Sequence, residues 1–218
     1  MIREIIMGAL FDRLTSPPLV FNFTADTTTG DVTLANVSDP TGLMVGMPVA
    51  GDGLPADAAI ATVTPTVTIS LPAVADRTAS ALTQGFQTTA RRLADVNAEQ
   101  DMPALYLIEL SETHPPLDLP GRPPRAVMIE FETEAWIFTR VGATENAIPA
   151  AMLNTLIDGV EAAIYPQDGS RQNLGVHGVH FCRIEGQIIK DPGHSGPIAG
   201  AIIPIRISVG LSAETYTL

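Results

Sequence analysis

Three glutamates, Glu130, Glu132 and Glu134, alternate with Val127, Ile129, Phe131, Ala135 and Ile137 in the stretch RAVMIEFETEAWIF. In an extended strand this alternation puts the carboxylates on one face, neighbours about 7 Å apart. Paired catalytic carboxylates stand at about that separation. Three like charges with no base nearby nevertheless read better as a solvated face than as a general acid and base. His177 and His180 form the next candidate, a metal pair. A spacing of three points them to opposite faces of a strand, so a shared ion would need a bulge at Gly178. His180 and Cys182 are expected to share a face, but further ligands would have to come from elsewhere. Asp191, His194 and Ser195 crowd one turn, without the G-x-S-x-G elbow or the strand–helix framing that activates a serine. Gly51-Asp52-Gly53 is no phosphate loop, because no Lys follows it and no helix begins there. The aspartates of residues 21–87 lack the ligand spacing of a known calcium loop. The side chains thus predict no catalytic centre, cofactor or metal, and the chain is expected not to be an enzyme. Arg91 and Arg92 are a different case. Adjacent residues of an extended segment point oppositely, so one arginine is expected to pair with local acids and the other to meet solvent or a neighbouring subunit.

Two idioms of structure must position these residues. Residues 2–15 place Ile2, Ile5, Ile6, Ala9, Leu10 and Leu14 at helical spacing, and Ser16-Pro17-Pro18 ends the pattern. From Phe21 to Gln87 the text changes to TTGDVTLANV and TVTISL, alternating strands divided by turn clusters such as Asp39-Pro40-Thr41-Gly42. This block predicts a small barrel or sandwich of five or six short strands, with Leu43, Val45, Met47, Val49 and Ile60 filling its core. After Thr88 the first idiom returns. ALYLIEL (104–110) and the long glutamate-bearing segment (125–138) read as strands joined by an exposed proline-rich loop over 111–124. Residues 148–165 repeat a helical stripe, with Pro149 in its first turn and Pro166 as its stop. VHGVHFCRIEGQIIK and AGAIIPIRISV then read as two strands, with Pro204 at an edge or bulge. The expected class is α+β: a mostly antiparallel sheet with two helices packed on one face, from residues 1–18 and 89–218, and an inserted all-β domain over 19–88.

Composition sets the partner classes. Of the 218 residues 45% are apolar, enough for a sizeable core, and no apolar run reaches the ~20 residues of a membrane span. No membrane role is expected. Twelve basic residues against twenty-four acidic ones give a net charge of −12, which disfavours tight nucleic-acid binding through phosphates. Lys190 is the only lysine; arginine is the cation better suited to bidentate carboxylate pairing at interfaces. The single cysteine excludes an internal disulfide and suits a reducing compartment.

The outer pieces together resemble the tail terminator proteins of long-tailed bacteriophages, the minor tail protein U type. The features that carry the likeness are REIIMGALFDRL, then RRLADVNAEQDMPALYLIE, the helix LNTLIDGVEAAIYP, and the closing HFCRIEGQIIKDPG and GAIIPIRISV. The likeness spans about 150 residues and rests on their order and spacing. The block 19–88 departs from compact members of that family. Its Gly-Leu-x-Val-Gly-Met turn and following Gly-x-Gly-Leu-Pro are similar to a small β-module found in phage tail and bacterial surface proteins.

The terminator resemblance implies a structural virion protein. It would form a hexameric ring at the head-proximal end of the tail tube, stop tube polymerisation and meet the head–tail connector proteins. Its partners would be further copies of itself, the tail tube protein and the connector, with DNA passing through the lumen unbound. Assembly would take place in the host cytoplasm. Arg91, Arg92, Glu130, Glu132 and Glu134 become the interface or lumen candidates. The alternative is another minor tail or connector protein whose β-block binds a glycan or host surface.

Overall fold

A computed structural model of the chain describes residues 2–17, 19–56, 58–92, 102–114, 126–140, 151–166, 172–193 and 198–212. In chain order its elements are α1 (Ile2–Leu14), β1 (Phe21–Thr27), β2 (Val49–Gly51), β3 (Ile60–Thr62), β4 (Thr68–Ile69), β5 (Arg77–Gln84), β6 (Thr88–Ala90), β7 (Ala104–Thr113), β8 (Ala126–Arg140), α2 (Ala151–Ile164), β9 (Val179–Ile184), β10 (Ile189–Asp191) and β11 (Ile198–Ser212). It is a mixed α/β fold of two helices and mostly antiparallel sheets, with strand the dominant state.

The largest sheet runs β10-β11-β8-β7-β6, and β9 pairs with β11 beside β10. Its spine is the antiparallel ladder of β8 and β11, in register from Ala126↔Ser212 to Arg140↔Ile198. Only β6 runs parallel to its neighbour, β7, among the described pairs. Strand alternation then sorts the side chains. Ile129, Phe131, Ala135 and Ile137 of β8 and Ile203, Ile205, Ile207 and Val209 of β11 are buried. They join one cluster with Ile6, Met7, Leu10 and Leu14 of α1 and Leu153, Leu156, Ile157, Val160 and Ile164 of α2. Each such side chain removed from water is worth about 1.5–3 kcal/mol, so this shared interior holds the two halves of the sequence together. At the end of α1 the hydroxyls of Thr15 and Ser16 donate to the carbonyls of Phe11 (2.9 Å) and Asp12 (2.5 Å), adding side-chain partners to carbonyls of the last turn.

Several expectations need correction. Ile5 is 48% exposed while Met7 is buried, so the inward stripe of α1 is rotated; Arg3 and Glu4 face partners on the sheet instead. Residues 111–113 belong to β7 rather than to a loop; residues 115–125 lie outside the described part, as does Pro149. The strand expected over 176–190 is two strands, β9 and β10, parted at Gly186 (φ 126°). Pro204 therefore stands inside a central strand without cost. Its carbonyl accepts from Glu185 N (3.1 Å) on that side of β11, so its missing N–H faces the gap between the two short strands. A side chain at residue 186 would begin 3.0 Å from the Pro204 ring.

Residues 21–84 carry strands and turns, in sheets β1-β5-β2 and β3-β4. Phe23, Ala25, Leu34, Leu43, Val49, Ile60, Ile69 and Leu82 form a second cluster. Two expected members of that core are elsewhere. Val45 is 54% exposed, and Met47, fully buried, belongs to the helix–sheet cluster. Gly46 (φ 89°) explains the exchange, since a Cβ there would lie 2.9 Å from Met152 Sδ of α2. Its bare backbone lets the turn close on the helix, and the next side chain plugs the main core. Buried Gln84 braces this turn, accepting from Met44 N (2.6 Å) and donating to Gly42 O (3.2 Å).

Candidate interface on the open sheet face

The even-numbered face of β8 and β11 points away from the helix-side cluster. Glu130, Glu132 and Glu134 lie on it, half-buried, as alternation requires. They are not three equivalent charges. Arg206 of β11 stands in register with Glu132 and donates to it from Nη2 (3.0 Å) and to Glu185 from Nη1 (2.5 Å), with Glu130 at 3.9 Å. Glu132 also accepts from Ser111 Oγ (2.7 Å). Glu134 accepts instead from Trp136 Nε1 (2.7 Å). The Ser111 hydroxyl, then Arg206, hold the Glu132 carboxyl below the usual range; Glu132 in turn, more than any other neighbour, pushes the Arg206 pKa up. Arg183, in register with Arg206, donates to Glu185 (2.6 Å) and lies 4.3 Å from the Phe181 ring centroid. Beyond Glu134 the same face turns aromatic: Phe138 packs on Tyr106 and Trp136 with centroids 6.1 and 6.3 Å apart. This face thus joins an ion-paired end, where Arg183 and Arg206 stand among Glu130, Glu132 and Glu185, to an aromatic end.

Arg91 is engaged within the chain. Its guanidinium bonds Glu4 of α1 and Glu109 of β7 (2.6 Å), while Arg92 is exposed. Nearby, Arg3 grips Glu112 with two hydrogen bonds of 2.6 Å, and His114 Nε2 lies 2.7 Å from the same carboxylate. Glu109 and Glu112 both reach the helix side because β7 carries an extra residue, Leu110, between their registers with β8. Glu109 opposes Thr133 and Glu112 opposes Phe131. The first turn of α1 is therefore clamped at two points of one strand.

The histidine and aspartate candidates separate. His177 and His180 are exposed and Cys182 is buried. His180 and Cys182 do not share a face, contrary to expectation. The pairing with β11 shifts between Phe181 and Val179, and this bulge turns His180 outward. Burial pushes the Cys182 thiol up to about 12. Asp191 accepts from Gly193 N (2.9 Å); His194 and Ser195 lie outside the described residues. Aspartates of the β-block serve its own backbone: Asp26 of β1 accepts from Ala79 N of β5 (2.7 Å), and in the turns Asp31 accepts from Thr33 N (2.9 Å) and Asp76 from Thr29 N (2.6 Å). Among the described residues, no group of three or more His, Cys, Asp or Glu is placed to hold a metal, and no helix is long and apolar enough to cross a membrane.

Sequence reasoning overlooked Arg206, the residue that organises the glutamate face. Its signal was available: it is the one charged residue in AIIPIRISV, spaced evenly from Pro204 and Ser208 and so on the outward face. Glu109, Glu112 and Arg3 gave no such signal, because their meeting depends on the bulge. No protein-family model matches the chain, and no curated protein is significantly similar to it.

Proposed function

We propose that the chain is a tail terminator of a long-tailed phage, with an inserted all-β domain over 19–88 and both helices on one face of the main sheet. The observation that carries this reading is the sequence of pieces around one core: α1, the β7–β8 pair, α2, then β9 to β11. Buried residues of α1, β7, β8, α2, β9 and β11, which include the segments in which the resemblance lies, meet in a single cluster. In this role copies close into a hexameric ring at the head-proximal end of the tail tube, stop addition of tube subunits and present a surface to the connector. The role is structural rather than catalytic. The open face bearing Glu130, Glu132, Glu134 and Arg206, and exposed Arg92, supply contacts to neighbouring copies or line the lumen. A net charge of −12 supports passage of DNA without retention, since little counterion release is available to hold it. The protein belongs to the virion after assembly in the host cytoplasm.

The test adds the purified protein to polymerising tube subunits. Tubes are expected to stop lengthening at sub-stoichiometric amounts and to carry a ring at one end in electron micrographs; tubes of unchanged length refute the reading. Exposed Val32, Leu71 and Val74 of the β-block favour a second reading, a host-surface contact made by the block. A glycan array and host-cell adsorption with the whole protein separate the two.

A further inference from the structure

We propose that the Tyr165 side chain is a plug that closes the outer edge of β9 to strand addition, and that the strand it excludes is β9 of a second copy. β9 and β10 form one border of the main sheet, and among the described residues no strand lies beyond them. A border of this kind offers backbone N–H and C=O groups with which an extended chain can pair.

The register fixes which groups those are. Antiparallel pairing turns alternate residues toward and away from the neighbouring strand. Glu185 N donates to Pro204 O of β11 (3.1 Å), so Ile184 and Cys182 turn their backbone groups outward. Three of these groups are engaged within the chain. Cys182 N donates to Gln172 O (2.7 Å). Ile184 N donates to Tyr165 Oη (2.8 Å), and that hydroxyl donates to Ile184 O (3.2 Å). One phenol thus accepts and donates at a single residue, the pair of bonds that an incoming strand would make there. Tyr165 directly follows α2, its N–H bound to Glu161 O (2.8 Å), and is 41% exposed. It is no core side chain, and it turns its hydroxyl to the edge rather than to water.

A second guard stands on the same border. Lys190, the only lysine of the chain, lies in β10 and reaches Asn154 of α2 (3.3 Å). A lysine on an edge strand hinders strand addition, because the newcomer must displace or desolvate its ammonium. The excluded partner follows from the chemistry of such pairing. Main-chain hydrogen bonds supply its affinity, so it tolerates many sequences. The strand always within reach in a concentrated solution is another β9, which carries the same outward groups and can pair with the first antiparallel about a two-fold axis.

The experiment compares the whole protein with Tyr165→Phe, which keeps the ring and removes only the hydroxyl. Sedimentation velocity over a concentration series reads association, and NMR reads amide hydrogen exchange at Ile184. In dilute Tyr165→Phe the Ile184 amide is expected to exchange at least tenfold faster than in the wild type. The variant should dimerise at a concentration at least tenfold lower, with the Ile184 amide protected again in the dimer. Urea midpoints followed at Trp136 should be similar for the two proteins. Unchanged exchange at Ile184, equal association of the two proteins, association that leaves Ile184 unprotected, or association that appears only with a lowered urea midpoint would overturn the proposal.

Discussion

Replacing Met47 with alanine probes how residues 21–84 are joined to the helices. Met47 is fully buried, and the cavity it would leave opens in the helix–sheet cluster rather than in the block's own core. Truncating a buried methionine costs about 2–5 kcal/mol; with Gly46 packed on Met152, relaxation into the space is restricted, and about 3 kcal/mol is expected. At a urea m-value of roughly 2 kcal/mol/M, the midpoint should fall by about 1.5 M. Trp136 is the only tryptophan and stands on β8 of the main sheet, so its fluorescence reports that body and not the block. Urea titrations of wild type and Met47→Ala followed at Trp136 read the effect directly. A midpoint shift below about 0.3 M would refute the claim that this side chain belongs to the main core, and with it the fixed seating of the block on α2.

Two further predictions concern titration and reactivity. Arg3 chiefly lowers the Glu112 carboxyl, and Ser111 then Arg206 lower that of Glu132, from an ordinary value of 4.5. Groups shifted downward stabilise the fold fully above their unfolded pKa and lose that contribution as pH falls through the folded value. Stability should therefore decline as pH drops below about 4.5, with a shallower decline in Glu112→Gln/Glu132→Gln; identical profiles for both proteins would contradict the assignment. Cys182, buried and with its thiol pushed up to about 12, should resist a thiol-disulfide reagent at pH 8 and react stoichiometrically in urea, a result read by absorbance.

Legibility followed the range of the cause. The apolar stripe of α2 and the alternation of β8 are local patterns, and Leu153, Leu156, Ile157, Ile129 and Ile137 are buried where periodicity puts them. Turn chemistry was equally local, and the change of idiom at residue 21 matches a change to short paired strands. What escaped depended on pairing across long separations. The rotation of α1 that exposes Ile5 follows from Arg3 and Glu4 meeting Glu112 and Arg91 more than 80 residues away. Leu110 and His180 are strand residues like their neighbours until register with β8 and β11 makes each a bulge. Met47 looked like block core because its own segment is hydrophobic; only the approach of α2 to Gly46 reassigns it. The glutamate row was legible as a face, but the pairing of Glu132 with Arg206 needed the β8–β11 register.

The position of β11 has a consequence for synthesis. Flanked by β8 on one side and by β9 and β10 on the other, it is the keystone of the main sheet and the last described strand to leave the ribosome. Contacts of this separation close late. The strands between Phe21 and Gln84 can meet one another while translation is still under way, whereas β8 waits for residue 198 onward with the backbone of one edge unpaired. The nascent chain thus passes through a stage in which strands of 21–84 can pair while the main sheet is still unfinished, a stage open to capture by a chaperone or by its own kind.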